Sequence, residues 1–219
     1  MEELGVSAAS GFVEPELQDE FPGLRLDWLT VEAHDGRSTS GIRKRLDGLS
    51  NRFRGMSVIS MRTQPIPRAY RTFFRHIGLD PDATMVPAEA AAVVRLRDGG
   101  FRSTGLLRDA LLVALVETGV PVWALDADHV DAGGLGIRTT VEGDRLGTGE
   151  LAGYLAPGRL AVVDRANVHS LLFGEVAGAH AVTKRTRHIT LFSVAVEGVP
   201  VIHLEEALWL CVEVLSSGE

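Results

Sequence analysis

Two histidines, His169 and His180, enclose a short segment whose residue types could support acid–base chemistry. This segment, HSLLFGEVAGAH, also contains Ser170 and Glu175. His169 and Glu175 could line one pocket, with His180 beside them, as a catalytic pair, because an imidazole and a carboxylate can both transfer protons. Ser170 is a poor candidate for a nucleophile activated by His169, since neighbours on a strand point to opposite faces. The alternative is a hairpin whose polar side chains face solvent.

An acid-rich turn is the second group of residues that could do chemistry. It contains Asp126, Asp128, His129 and Asp131. Alternating carboxylates can converge on a hard cation, but the turn lacks the glycine and terminal glutamate of a calcium-binding helix–loop–helix. Aspartate is also common in turns because it bonds its own backbone. We therefore interpret the segment as a turn, and we expect neither a metal nor an organic cofactor.

Clustered cations are the third candidate feature. Lys184, Arg185 and Arg187 could hold a phosphate, or they could be the solvated edge of a strand. Residues 37–108 carry 14 Lys and Arg against 5 Asp and Glu, although the whole chain has a net charge of -7. This segment could form a surface for phosphates, or its arginines could simply face water. The acidic total argues against a protein that coats nucleic acid indiscriminately.

The overall composition is that of a globular protein. The chain has 219 residues, of which 45% are hydrophobic and 23% charged. No apolar run approaches the roughly 20 residues that span a bilayer, so we expect no membrane association. The acidic first residues do not have the pattern of a secretory signal, and the single cysteine, Cys211, excludes an intramolecular disulfide. These features favour a cytoplasmic location.

Hydrophobic periodicity predicts the elements that must position these residues. Helices are expected at about 40–54, 66–78, 87–100, 104–118 and 203–215, and strands at about 24–33, 120–126, 158–164, 168–174 and 188–198. Because helices come mostly first and strands second, we predict an α+β fold. Residues 1–22 are interpreted as a loose N-terminal arm, and 23–219 as one domain.

The order of motifs between residues 70 and 198 resembles a known family. The motifs are AYRTFFRHIGLDPD, PAEAAAVVRL, GLLRDALLVALVETGVPVWALDADHV, GRLAVVD and TKRTRHITLFSVAVEG. Their order is similar to that of the central tRNA-binding and editing module of the phenylalanyl-tRNA synthetase β subunit, especially of its free-standing relatives. The resemblance covers well over half of the chain. It implies a three-layer arrangement of helices around an unusual β-sandwich.

The resemblance also implies where an editing pocket would lie. In the family this pocket is lined by a Thr-Asn pair, a His and a Glu, and the matching positions here are Leu111, Leu112, Trp123 and Phe192. All four are apolar, so they supply no general acid or base. They would form an apolar pocket, or they would fill the core.

Three functions are consistent with this pattern. The first is a protein that binds tRNA or an aminoacyl-tRNA end without the usual editing residues. The second is a trans-acting aminoacyl-tRNA deacylase that uses a non-standard site containing His169 and Glu175. The third is a binder of a small hydrophobic or amino-acid ligand, or a protein-interaction module with no ligand.

Overall fold

The computed structural model describes residues 7–52, 60–149 and 152–218. These residues form two compact units. The sheet unit consists of the described residues of Met1–His34 and Trp123–Val194, and the helical unit consists of those of Asp35–Val122 and Ala195–Glu219. The boundary expected at residue 22 does not coincide with this division.

Helices and strands are both abundant, which confirms the predicted α+β class. In the described residues the helices are α1 (Pro15–Glu20), α2 (Ser40–Arg52), α3 (Pro65–His76), α4 (Pro87–Asp98), α5 (Leu106–Thr118) and α6 (Val201–Ser216). The strands are β1 (Ala9–Ser10), β2 (Phe12–Val13), β3 (Arg25–Glu32), β4 (Val122–Asp126), β5 (Gly136–Thr139), β6 (Arg145–Leu146), β7 (Gly153–Tyr154), β8 (Leu160–Val163), β9 (Val168–Leu171) and β10 (His188–Ala195). The sandwich arrangement stays a prediction. No helix in the described ranges is long and apolar enough to cross a membrane.

The helical unit is built around the packing of α5 against α6. The four residues predicted to share one face of the last helix, Leu204, Leu208, Cys211 and Leu215, are all buried. Helix α5 also contacts α2 and α4. It ends at Gly119, whose φ of 77° is in the left-handed region that glycine adopts without strain. The end of the helix predicted at 53–54 lies outside the described residues.

The sheet unit contains two sheets, with strand orders β1-β3-β10-β4 and β2-β5-β8-β9-β6-β7. The chain passes from the first sheet to the second at Gly11, between β1 and β2. A Cβ atom at Gly11 would lie 2.5 Å from the carbonyl oxygen of Leu135, so no larger residue fits there. Residues 9–20 lie inside the predicted loose arm, but in the structure they form β1, β2 and α1. Strands of two residues are too short to produce a hydrophobic period.

Strands β8 and β9 form the antiparallel pair that the sequence predicts. Their register is interrupted by an irregularity: Val162 lies opposite Ser170, whereas Val163 lies opposite Val168. His169 is therefore the extra residue of a β-bulge. A bulge locally re-aims the side chains of its strand, and His169 and Ser170 are both buried even though they are neighbours.

Candidate active site

Asp164, which follows β8 directly, is the most firmly held side chain near the bulge. Its Oδ1 accepts hydrogen bonds from the backbone N–H groups of Ala166 at 2.8 Å and Asn167 at 2.7 Å. Its Oδ2 accepts one from the N–H of Asp131 at 2.9 Å. Burial acts to raise the pKa of Asp164, but these three bonds and the nearby His169 outweigh it, so the pKa is lowered. The group is therefore a fixed carboxylate at neutral pH.

His169 lies against this carboxylate. Its Nε2 is 3.0 Å from Oδ2 of Asp164, and its side chain is fully buried. The contact is not aligned as a hydrogen bond, so within the described residues Nε2 has no hydrogen-bond partner. Burial lowers the pKa of His169, although Asp164 acts in the opposite direction. We place the single proton of the neutral ring on Nε2, because a lone pair there would face a negative oxygen.

His180 completes the cluster. It ends a short 3-10 helix, Gly178–His180. The preceding residue Ala177 donates its backbone N–H to the carbonyl oxygen of His169 at 2.7 Å and accepts the N–H of His180 at 2.9 Å. These bonds hold the turn against β9, where the Nδ1 atoms of the two histidines are 2.8 Å apart. Burial, followed by the nearby His169, lowers the pKa of His180.

The tautomers of the two rings are linked. A hydrogen bond between two Nδ1 atoms needs one donor and one acceptor. With the proton of His169 on Nε2, its Nδ1 accepts, and His180 must donate from Nδ1. The Nε2 of His180 is then an unprotonated nitrogen with a free lone pair. Asp164, His169 and His180 thus form a chain that presents a basic nitrogen at its end.

An open cleft of about 430 Å³ lies beside this chain of residues. It is lined by Asp128, His129, Val130, Asp131, Thr148, Asp164, Ala166, Asn167 and His180. His180 and Asp164 border the cleft, whereas His169 does not. His180 is therefore the imidazole of the chain that a molecule in the cleft would meet. The volume lies within the range of small-molecule sites.

The acid-rich turn forms one wall of this cleft. Asp126 accepts a hydrogen bond from the backbone N–H of Asp128 at 3.2 Å and one from the hydroxyl of Thr186. Asp128 and Asp131 are exposed. In the parts of the chain that the structure describes, no three His, Cys, Asp or Glu side chains are grouped so that they could hold a metal ion.

Glu175 does not occupy the place that the sequence suggested. It is exposed, in the turn that follows β9, and the carboxylate beside His169 is that of Asp164. Asp164 was not among the site residues predicted from the sequence. Its position at the end of the strand GRLAVVD, before a turn, is a common one for an aspartate that bonds the backbone two or three residues on, and this signal could have drawn attention to it.

At two of the four positions where the family resemblance implies editing residues, aromatic side chains pack against each other. Trp123 is stacked on Phe192, with ring centroids 5.4 Å apart and planes inclined by 13°. The edge of Phe173 approaches Trp123 at 5.8 Å. Phe192 is 1% exposed, and an aromatic cluster of this kind is typical of a core. Leu111 and Leu112 are half-buried on α5, in the helical unit.

The predicted phosphate-binding residues are accessible. Lys184, Arg185 and Arg187 are all exposed, and Arg187 bonds only backbone carbonyl oxygens, those of Lys184 at 3.4 Å and Thr186 at 3.2 Å, among the bonds that the structure describes. The hydroxyl of Thr186, in the middle of this turn, donates to Asp126. A hydrogen bond therefore connects the basic turn to Asp126, the last residue of β4. This strand leads into the acid-rich turn that lines the cleft.

The basic segment of the helical unit is partly neutralised. Arg45 pairs with Glu117 and Glu213, both at 2.9 Å, and Arg71 pairs with Glu89 at 2.9 Å. Other cations of this segment are exposed, among them Arg37, Arg43, Lys44, Arg68, Arg75 and Arg108. Binding of phosphates by these cations stays a prediction.

Comparison with known proteins gives no information on the family or function of the chain. No family model matches the chain, and no curated protein matches it. The likeness to the synthetase module therefore rests on the order of its motifs alone, and the geometry of the cleft is the independent evidence on function.

Proposed function

We propose that this protein binds the aminoacyl end of a tRNA and hydrolyses its ester bond, with His180 as the general base. The observation that carries the proposal is the chain formed by Asp164, His169 and His180, which leaves Nε2 unprotonated on His180, a buried residue that lines an open cleft. A neutral imidazole with a fixed tautomer is the group most often used for this purpose.

The reaction needs a single proton carrier. His180 takes a proton from water while the water oxygen attacks the carbonyl carbon of the ester. The tetrahedral intermediate then collapses, and the bond between the acyl carbon and the ribose oxygen breaks. The imidazolium of His180 returns the proton to that oxygen, which leaves a free amino acid and an uncharged tRNA. The carboxylate of Asp164 stabilises the transient positive charge through His169.

The walls of the cleft support an aminoacyl ester as the substrate. Asp128 and Asp131 are exposed there, and an aminoacyl ester carries a free ammonium group that a carboxylate can bind. The exposed cations Lys184, Arg185 and Arg187 follow His180 within seven residues along the chain. They suit the phosphates that precede the aminoacyl group.

Binding without hydrolysis is the second candidate function. It is favoured by the apolar cluster of Trp123 and Phe192, which occupies positions where the family resemblance implies polar editing residues. On this proposal the exposed cations bind the tRNA and the cleft holds its aminoacyl end without reaction.

One experiment separates the two candidates. Wild-type protein and His180→Ala are incubated with tRNAs that carry each of several correct and incorrect amino acids, and the remaining ester is measured with time. Hydrolysis by the wild type and its loss in His180→Ala support the deacylase. Binding that weakens steeply with salt, without any hydrolysis, supports the second candidate. If neither hydrolysis nor binding is observed, both proposals are wrong.

A further inference from the structure

A second cavity lies next to the cleft, on the same unit. It is a groove of about 720 Å³. Its lining includes Leu146, Gly147, Tyr154, Leu155 and Ala179, together with Thr148, which also borders the cleft. Ala179 directly precedes His180 in the chain. The cleft and the groove are thus neighbours, linked by Thr148 and by the adjacent residues Ala179 and His180.

Tyr154 is the most unusual residue of the groove, because this large aromatic residue is 79% exposed. It belongs to β7, the last strand in the order of its sheet, and lies directly opposite Arg145 of β6. The guanidinium carbon of Arg145 is 5.1 Å from the centre of the Tyr154 ring. Arg145 is itself held by hydrogen bonds to the carbonyl oxygen of Ala152 at 2.7 and 3.1 Å. A fixed cation therefore covers one face of the tyrosine ring, and the rest of the side chain is open.

We infer that this groove binds an unpaired nucleobase of a single-stranded RNA end, stacked on the ring of Tyr154. Exposed aromatic rings next to arginine are the usual platforms for bases in single-stranded nucleic acid. A neutral base also suits a groove whose walls are largely apolar and glycine-rich. The inference rests on the proposed function, because a base held here would place the adjoining ribose, the sugar that carries the ester, on the side of His180.

The test uses two short RNAs, each of four nucleotides and ending in cytidine–cytidine–adenosine, one intact and one without its terminal base. Because base–aromatic stacking contributes about 1–3 kcal/mol, wild-type protein should bind the intact RNA about 5- to 150-fold more tightly than the abasic one. Tyr154→Ala should remove this difference, and Tyr154→Phe should keep it. Circular dichroism confirms that both variants fold.

Three results would overturn the inference. They are equal affinity of the wild type for the two RNAs, an unchanged preference in Tyr154→Ala, or a change of oligomeric state in Tyr154→Ala without a change in RNA affinity. The last result would mean that the exposed strand associates with a second copy of the chain. The His180→Ala assay decides the proposed function separately. Hydrolysis lost in that variant, with no effect of Tyr154→Ala on RNA binding, would reject the groove and leave the deacylase standing.

Discussion

The Nδ1 atoms of His169 and His180 are 2.8 Å apart, and only one of the two can donate the hydrogen bond between them. Which ring donates is decided on the far side of His169, where Nε2 faces the carboxylate of Asp164 at 3.0 Å. His169, which does not line the cleft, thus determines which nitrogen of His180 carries the proton. His180 is the catalytic residue on this proposal, and His169 is a positioning residue.

Replacement of His180 by alanine should lower the rate of ester hydrolysis by about 10²–10⁴-fold, the usual contribution of a general base. Single-turnover assays with aminoacyl-tRNA measure this rate, and the affinity for uncharged tRNA should stay unchanged. His76→Ala is a matched control, because His76 is exposed on α3 in the helical unit. Glu175→Gln should keep the wild-type rate. A loss in Glu175→Gln as large as that in His180→Ala would instead restore the pair suggested by the sequence.

The rate of hydrolysis should depend on pH in a way that reflects the lowered pKa of His180. Burial lowers this pKa below its ordinary value of 6.5. The base is therefore unprotonated throughout the neutral range, and the rate should be level above pH 6.5 and decline only at lower pH. A profile of kcat at saturating substrate between pH 5 and 8 measures this, because it reports the ionisation of the bound complex. An inflection above pH 7 would contradict the assignment of His180.

Acid should also destabilise the fold through the same histidines. The pKa values of His169 and His180 are lowered in the folded protein, mainly by burial, so the unfolded chain binds more protons just below pH 6.5. The free energy of unfolding should therefore be fully maintained above pH 6.5 and decrease as the pH falls toward the folded-state values. Urea titrations at several pH values measure this dependence. It should be weaker in the double variant His169→Gln/His180→Gln.

The buried ion pair of the helical unit gives a prediction about stability. Arg71 on α3 and Glu89 on α4 are both buried, with 2.9 Å between their charged atoms. Arg71→Met should reduce the free energy of unfolding by about 3 kcal/mol, because it removes a positive charge that is paired with the buried carboxylate of Glu89. Adding Glu89→Met should recover most of this loss, which urea denaturation can measure. Equal stability of Arg71→Met and the wild type would show that the pair contributes nothing.

Gly136 tests the role of the N-terminal residues in the sheet unit. A Cβ atom there would lie 2.4 Å from the carbonyl oxygen of Phe12, its partner on β2. Gly136→Ala should therefore force β2 away from β5 and reduce the free energy of unfolding by about 1–3 kcal/mol. Gly48→Ala is the control. No atom lies within 4 Å of that added methyl group in α2, and the change should stabilise the helix slightly.

The regular elements were largely predictable, because each depends on a local pattern. Leu204, Leu208 and Cys211 repeat at the period of a helix, and the structure buries all three. Gly119 follows the apolar run of α5 and ends it, as expected from its tolerance of positive φ. Strands β8 and β9 were also expected to be neighbours, and they pair. In each case the information lies within a few residues of the element itself.

The candidate site could be predicted only in part. His169 and His180 stood out by their residue type, but the acidic partner was assigned to Glu175 instead of Asp164. The bulge at His169 is responsible, because a register shift depends on how two strands meet and not on either strand alone. Strands β1 and β2 also depend on partners that are distant in sequence. Each pairs through only two residues, β1 with β3 and β2 with β5.

By itself, the sequence determined the α+β class, the approximate positions of the longer helices, and the residues capable of acid–base chemistry. These follow from periodicity, from glycine and proline, and from side-chain type, all of which are local properties. Only the tertiary structure decided that Asp164, rather than Glu175, lies beside His169, and that His180 is the ring that borders the cleft. Those relationships depend on strand register and on a turn folding back over β9, and they bring together atoms whose separation along the chain does not specify their distance in space.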